Sequence, residues 1–297
     1  MNFEETLESI NKCFATDVEK NLPTIKDFSA EIIEGFDNGN FEELENFSEN
    51  TTDVYKKSVS KRILAIKSIQ EARDSGIELN INKVWKWIYQ SLEVIPIIAT
   101  ISSIGSQGFL SIPLYKYEKE MDKFDFIRLH IWDNSLDQYF DKKKSETFSI
   151  HTHSFLAQSW VLVGKIVNNR YRVKENSKKA NASLFTIEYN KTLNQINQHT
   201  SVAKNTGKNV NVEQISNEVY LPYSTYKIKK ENYHQSISLG NNGLSSTIFS
   251  FTSKGGIAEN SFVVGPMDIQ ESKINRKMHI DATYLINQLN SIVKDYE

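Results

Sequence analysis

With 297 residues the chain can bury a sizeable core, as one large domain or two modest ones. A formal net charge of −2, with 24% charged and 39% hydrophobic residues, is an ordinary globular balance that offers no field to a phosphate backbone, which argues against a nucleic-acid partner. The single cysteine, Cys13, excludes an internal disulfide framework and fits a reducing compartment.

Taken in order, the opening stretch MNFEETLESINKCF is acidic and amphipathic and lacks the basic leader and apolar run of a secretory signal. Residues 1–92 read as a helical N-terminal region. Phe3, Leu7, Ile10 and Phe14 recur at helical spacing, and TIKDFSAEIIEGF over 24–36 follows Pro23 and ends before Gly39. FEELENF continues or restarts that helix, a longer pattern runs from Thr52 to Gly76, and VWKWIYQSL at 84–92 is a fourth segment. These helices serve either as a docking module for a protein partner or as cover for a sheet; Trp85 and Trp87 fit a core role, since large aromatics supply much apolar burial.

From residue 93 the period changes. VIPIIATI, FLSIPLYKYE and FDFIRLHIWD carry the β-branched and aromatic signature of strands. The run VIPIIATISSIG at 94–105 is too short and too serine-rich to span a bilayer, so no membrane partner and a cytoplasmic location are expected. In FDFIRLHIWD, Phe126, Arg128, His130 and Trp132 share one face and Ile127, Leu129 and Ile131 the other. Alternation alone does not decide which face looks inward. If the mixed face does, Arg128 and His130 can bind an anionic group.

SLDQYFDKKKSE at 135–146 reads as a charged loop before SIHTHSFLAQSWVLVGKI, which spans 149–166. In a strand, residues two apart point the same way, so His151 and His153 would present both imidazoles to one side. Inside a barrel such a pair is half of a metal site, and His234 in ENYHQSIS supplies a candidate third ligand. Asn168-Asn169 reads as a hairpin turn, SLFTIEYN at 183–190 as a strand, and the Asn- and Gln-rich stretch 193–217, which includes His199, as an exposed loop or lid. VYLPYSTYKI, HQSISL and LSSTIFSFT add strands. SKGGIAENSFVVGP reads as loop, and DATYLINQLNSIVKDY at 281–296 as a terminal helix capped by Asp281.

H-x-H followed by Gly164, with a lone histidine on a later strand, resembles the cupin superfamily. The glutamate that cupins usually carry after the second histidine is replaced here by Ala157 and Gln158. That resembles the three-histidine branch of the cysteine dioxygenase and related thiol dioxygenases. The resemblance covers roughly residues 124–250 and implies a cupin-like antiparallel β-barrel, a double-sheet jelly roll. With the helices read above, the expected fold is α+β: a helical region over 1–92, the barrel over 93–270, and a C-terminal helix over 271–297 that packs on the barrel. The resemblance further implies His151, His153 and His234 as metal ligands, Gln158 in the place of the glutamate, and iron(II) as the metal, with zinc, nickel or manganese as substitutes. No arginine stands on LSIPLYKYE, so Lys116, Lys119 or Arg128 would have to hold a substrate carboxylate.

Other chemistries lack their motifs: G-x-S-x-G, both phosphate-loop fingerprints and H-E-x-x-H are absent, and nothing near Cys13 would hold a thiolate. Two readings stand: a metal-dependent dioxygenase of a small-molecule substrate, or a non-catalytic cupin-like module that binds a ligand or protein.

Overall fold

In the computed structural model the described residues are 2–120, 123–175, 178–189, 200–240 and 243–296. The elements run, in chain order, α1 (Phe3–Asn11), α2 (Ala30–Asp37), α3 (Glu42–Asn50), α4 (Val54–Ser75), α5 (Ile81–Glu93), β1 (Ser103–Ile104), β2 (Leu110–Glu118), β3 (Phe124–Trp132) and α6 (Lys142–Thr147). There follow β4 (Leu156–Val163), β5 (Ile166–Glu175), β6 (Ala182–Tyr189), β7 (Thr200–Tyr220), β8 (Thr225–Ile228), β9 (Tyr233–Ser238), β10 (Ser245–Thr252), β11 (Phe262–Gly265), β12 (Glu271–Asn275), β13 (Lys277–Met278) and α7 (Thr283–Lys294). The chain is thus α+β, and among the described residues no helix is long and apolar enough to cross a membrane.

Two compact units cut across the divisions expected at residues 92 and 270. One comprises 1–101, 112–128 and 281–297; the other comprises 102–111 and 129–280. In the first, each long helix starts on a polar cap. The Asp53 carboxylate accepts from the Tyr55 and Lys56 amides at the head of α4, and Asn80 does the same for Lys83 in α5. Gly76, at φ 74°, ends α4 in the left-handed conformation that only glycine adopts cheaply. Val59, Ile63, Ile66 and Ile69 of α4 and Trp85 and Ile88 of α5 are buried. The expected strand VIPIIATI is instead a single 3₁₀ turn at Ile97–Ala99; Pro96 lacks the amide that a ladder needs.

The second unit is built on two antiparallel sheets. Their orders are β13-β1-β2-β3-β10-β4-β8 and β11-β6-β7-β5-β9, with β12 added to β7. β2 and β3 run on from one unit into the other. The chain crosses between the sheets at Gly164 (φ 76°), which joins β4 to β5. Neither sheet closes on itself through its strands, so there are two open sheets where a barrel is expected. The two edges of the six-stranded sheet are nevertheless both engaged by one short segment. His151 exchanges backbone hydrogen bonds with His234 of β9 (3.0 Å each way), the Val264 amide donates to the Ile150 carbonyl at 2.9 Å, and the Thr152 amide donates to Phe262 at 2.8 Å.

Three expectations give way to tertiary pairing. The stretch 200–217 is not a lid: it belongs to the 21-residue strand β7, paired with β5, β6 and β12. Its polar composition is tolerated because only a few side chains, such as Ala203 and Val210, must be buried. Residues 190–199, with His199, lie outside the described residues. Asn168 and Asn169 are not a turn but buried positions within β5, where Asn168 Nδ2 donates to Ser236 Oγ (3.2 Å) and Asn169 Nδ2 donates to Gln235 Oε1 (3.2 Å). The charged stretch 135–146 forms a 3₁₀ turn and α6, and the SKGGIAENSFVVGP loop includes the strand β11.

Candidate metal centre

His151 and His153 do not lie on a continuous strand. β4 begins only at Leu156, and His151 is held by the isolated backbone pairing with His234. Two residues that exchange both backbone hydrogen bonds put their side chains on the same side of an antiparallel pair, so the rings of His151 and His234 face one way. The pairing continues at His153, whose carbonyl accepts from the Glu231 amide at 2.9 Å; Glu231 itself has φ 63° in the turn leading to β9. Ring centroids are 4.3 Å apart for His151 and His234, 4.6 Å for His153 and His234, and 4.9 Å for His151 and His153. One potential ligand atom from each of the three lies within 4.8 Å of the others.

The hydrogen bonds select which nitrogens are offered. His151 Nδ1 donates to the Ser149 carbonyl at 2.8 Å and His234 Nδ1 donates to the Asn232 carbonyl at 3.1 Å, which leaves both Nε2 atoms with a lone pair. His153 Nε2 is 3.0 Å from His151 Nε2. Two nitrogens each ~2.1 Å from one ion, at about a right angle, stand about 3 Å apart. Since His151 Nε2 carries a lone pair, the contact between the two rings is a hydrogen bond donated by His153 Nε2, and the His153 lone pair sits on Nδ1, which is buried without a partner. Burial is the main cause that holds the pKa of His151 below the usual imidazole value and those of His153 and His234 well below it; the neighbouring rings and Arg170 depress the last two further. Three neutral imidazoles with a nitrogen each within 4.8 Å of the others fit a divalent transition metal once the His153 proton moves from Nε2 to Nδ1.

The surroundings come from residues that sequence patterns did not single out. Phe251 and Phe249 stand edge-on to His153 at 4.8 and 6.1 Å. Arg170 of β5 is the direct cross-strand partner of His234. Its Nη2 donates to the Lys227 carbonyl at 2.9 Å, its Nε lies 3.5 Å from Glu218, and its Nη1 is buried with no partner. Strand alternation in RYRV could suggest a face for Arg170, but only the register of β5 against β9 pairs it with a histidine.

The other expected site residues fall differently. His130 is buried, stacked on Phe249 at 4.7 Å and against Phe109 at 4.2 Å, so it shares a ring with His153 without joining the three. Arg128 belongs to the other compact unit, its guanidinium 3.9 Å over Phe126. Gln158 of β4 pairs with Ser250 and Lys227, whereas Phe249 and Phe251, which touch His153, pair with Ser159 and Ala157. Adjacent residues on a strand point to opposite faces, so Gln158 is turned away from the histidines. It donates to Thr225 Oγ1 at 3.2 Å instead. Ser149 orients the His151 ring through its carbonyl, while its hydroxyl accepts from Gln235 Nε2 at 2.6 Å. Compared with known proteins, the chain matches no family model and no curated sequence.

Proposed function

We propose that the chain is a cupin-like, metal-dependent enzyme, an iron(II) dioxygenase acting on a small anionic molecule, with His151, His153 and His234 as its ligands. The observation that carries this reading is the convergence of three neutral imidazoles, two of them locked by backbone carbonyls. The engagement of both edges of the six-stranded sheet by residues 150–152 supports the cupin-like architecture. When bound, iron(II) would supply a redox-active Lewis acid with positions open to substrate and dioxygen. Zinc, nickel or manganese would suit the same ligands, and zinc or nickel would move the reaction toward hydrolysis or isomerisation.

The chain's own residues point to the substrate's charge. Three neutral ligands compensate none of a dication's charge, and Arg170 adds another cation beside them, so an anionic partner is electrostatically favoured. The buried Nη1 of Arg170, the cross-strand neighbour of His234, has no partner and would donate to such a group, while Phe249 and Phe251 add apolar surface beside His153. His130, stacked on Phe249, holds that wall in position.

The test is elemental analysis of purified protein, with His153→Ala and His234→Ala alongside. The expected result is near-stoichiometric transition metal in the wild type and its loss in both variants, with circular dichroism unchanged. A metal-free wild type that cannot be loaded with iron(II), or a small-molecule affinity indifferent to chelator, would replace the enzyme by a non-catalytic binding module.

A further inference from the structure

Among the described residues of the N-terminal unit three cationic side chains are buried: Lys61, Arg62 and Arg73. Two of them have carboxylates. Lys61 meets Glu49, and Arg73 is gripped by both oxygens of Asp125, at 2.6 and 2.9 Å, and by Asp74 at 2.8 Å. Arg62, 1% exposed on α4, has none. Its Nε donates to Ser91 Oγ at 3.4 Å, and its guanidinium carbon lies 4.1 Å from the centroid of the Phe14 ring. Both Nη1 and Nη2 are buried with no hydrogen-bond partner.

The neighbourhood supplies no counter-charge. Among the described residues, the ionisable group that acts on Arg62 is Cys13. Burial pushes that thiol up to about 12, so it is neutral at ordinary pH. The groups that act on Cys13 are cations: Arg62 first, then Arg128, Lys116 and Lys12. A buried guanidinium is costly unless it is paired, and its two terminal nitrogens form a planar fork that matches two oxygens of a carboxylate or a phosphate. Here Phe14 covers the plane of the group and Ser91 fixes the Nε edge, which leaves the Nη edge oriented and unmatched.

We propose that Arg62 holds a small oxyanion, a carboxylate or phosphate group, inside the helical unit, as a ligand site additional to the three histidines and independent of whether they bind metal. Because Arg62 is enclosed, the anion exchanges only when the helices open, and it is best admitted during refolding.

The test is to refold the full chain in inorganic phosphate, in acetate, and in chloride at matched ionic strength, then to compare thermal midpoints. A midpoint several degrees higher in phosphate or acetate than in chloride is expected. In an Arg170→Met background, which removes the anion contact proposed beside the histidines, Arg62→Met should abolish the difference and Arg62→Lys should need at least about tenfold more anion because an ammonium lacks the fork. Equal midpoints in all three salts for Arg170→Met would overturn the proposal, as would a response that survives Arg62→Met in that background. Should Arg62→Met not refold, Arg62→Lys decides, and an undiminished response there overturns it as well.

Discussion

Cys13 is 1% exposed, and its thiol, the weak donor of a 3.6 Å contact to the Ser9 carbonyl, is raised to about 12 by burial. The nucleophile in thiol chemistry is the thiolate, so Cys13 should resist an aromatic disulfide reagent at pH 8 in the folded protein and react stoichiometrically once urea unfolds it. Gly164 tests a different local rule. At φ 76° an added Cβ would meet the Leu244 carbonyl oxygen at 2.5 Å and Ser245 Cα at 2.9 Å. Gly164→Ala should therefore cost at least ~1–3 kcal/mol in denaturant unfolding, since both backbone strain and close contact must be relieved; an unchanged midpoint would show that the crossover between sheets relaxes freely. The residues of the candidate metal centre divide along the same line between local and non-local. His151 and His153 were legible because their spacing is a property of adjacent sequence. Gln158 was misplaced because one position on a strand is a change of face, and Arg170 was missed because it meets His234 only through strand register.

At the scale of elements, helices were the most legible parts: the pattern from Thr52 to the stop at Gly76 is α4, and VWKWIYQSL lies within α5, whose start at Ile81 is set by the Asn80 cap that periodicity did not show. Caps are local hydrogen bonds and need no partner element. Before α2, the Asp27 carboxylate accepts from the Thr24 amide and pairs with Lys56 at 2.9 Å; with the Thr24 bond as the largest cause, its pKa falls to about 2. A carboxyl whose folded pKa is depressed stabilises the fold above its unfolded value of ~3.9 and loses that contribution as pH drops toward about 2. Asp27→Asn should flatten the pH dependence of unfolding across that window and leave the neutral-pH slope unchanged. The bidentate pair between Arg73 of α4 and Asp125 of β3 is buried, so Asp125→Ala, which removes both oxygens of that pair while Asp74 still holds Nε, should lower stability by no more than about 3–5 kcal/mol in urea titration. Strands were less legible. β7 is rich in asparagine and lysine, and its extended form comes from ladders with β5, β6 and β12 rather than from its own preferences.

For the whole molecule, metal binding to the folded state alone should raise stability by about 2.7 kcal/mol when free metal is a hundred times its dissociation constant. Hydrogen exchange should show that gain in residues 149–153 and in β9, whose backbones hold the histidines, and chelation should reverse it; protection spread uniformly over α4 and α5 would argue against a site at the histidines. What the sequence determined by itself was the mixed composition of helices and strands, the stop at Gly76, the Asp281 cap and the H-x-H pair, because each rests on periodicity or on bonds between near neighbours. Only the tertiary structure decided that the segment 150–152 bonds both edges of one sheet, that His234 stands opposite His151, and that Arg170, rather than Gln158, shares the face of the rings. Those facts depend on which strands pair and in what register. Hydrogen bonds between backbones far apart in the chain set that choice, and they carry no residue signature that a single sequence displays.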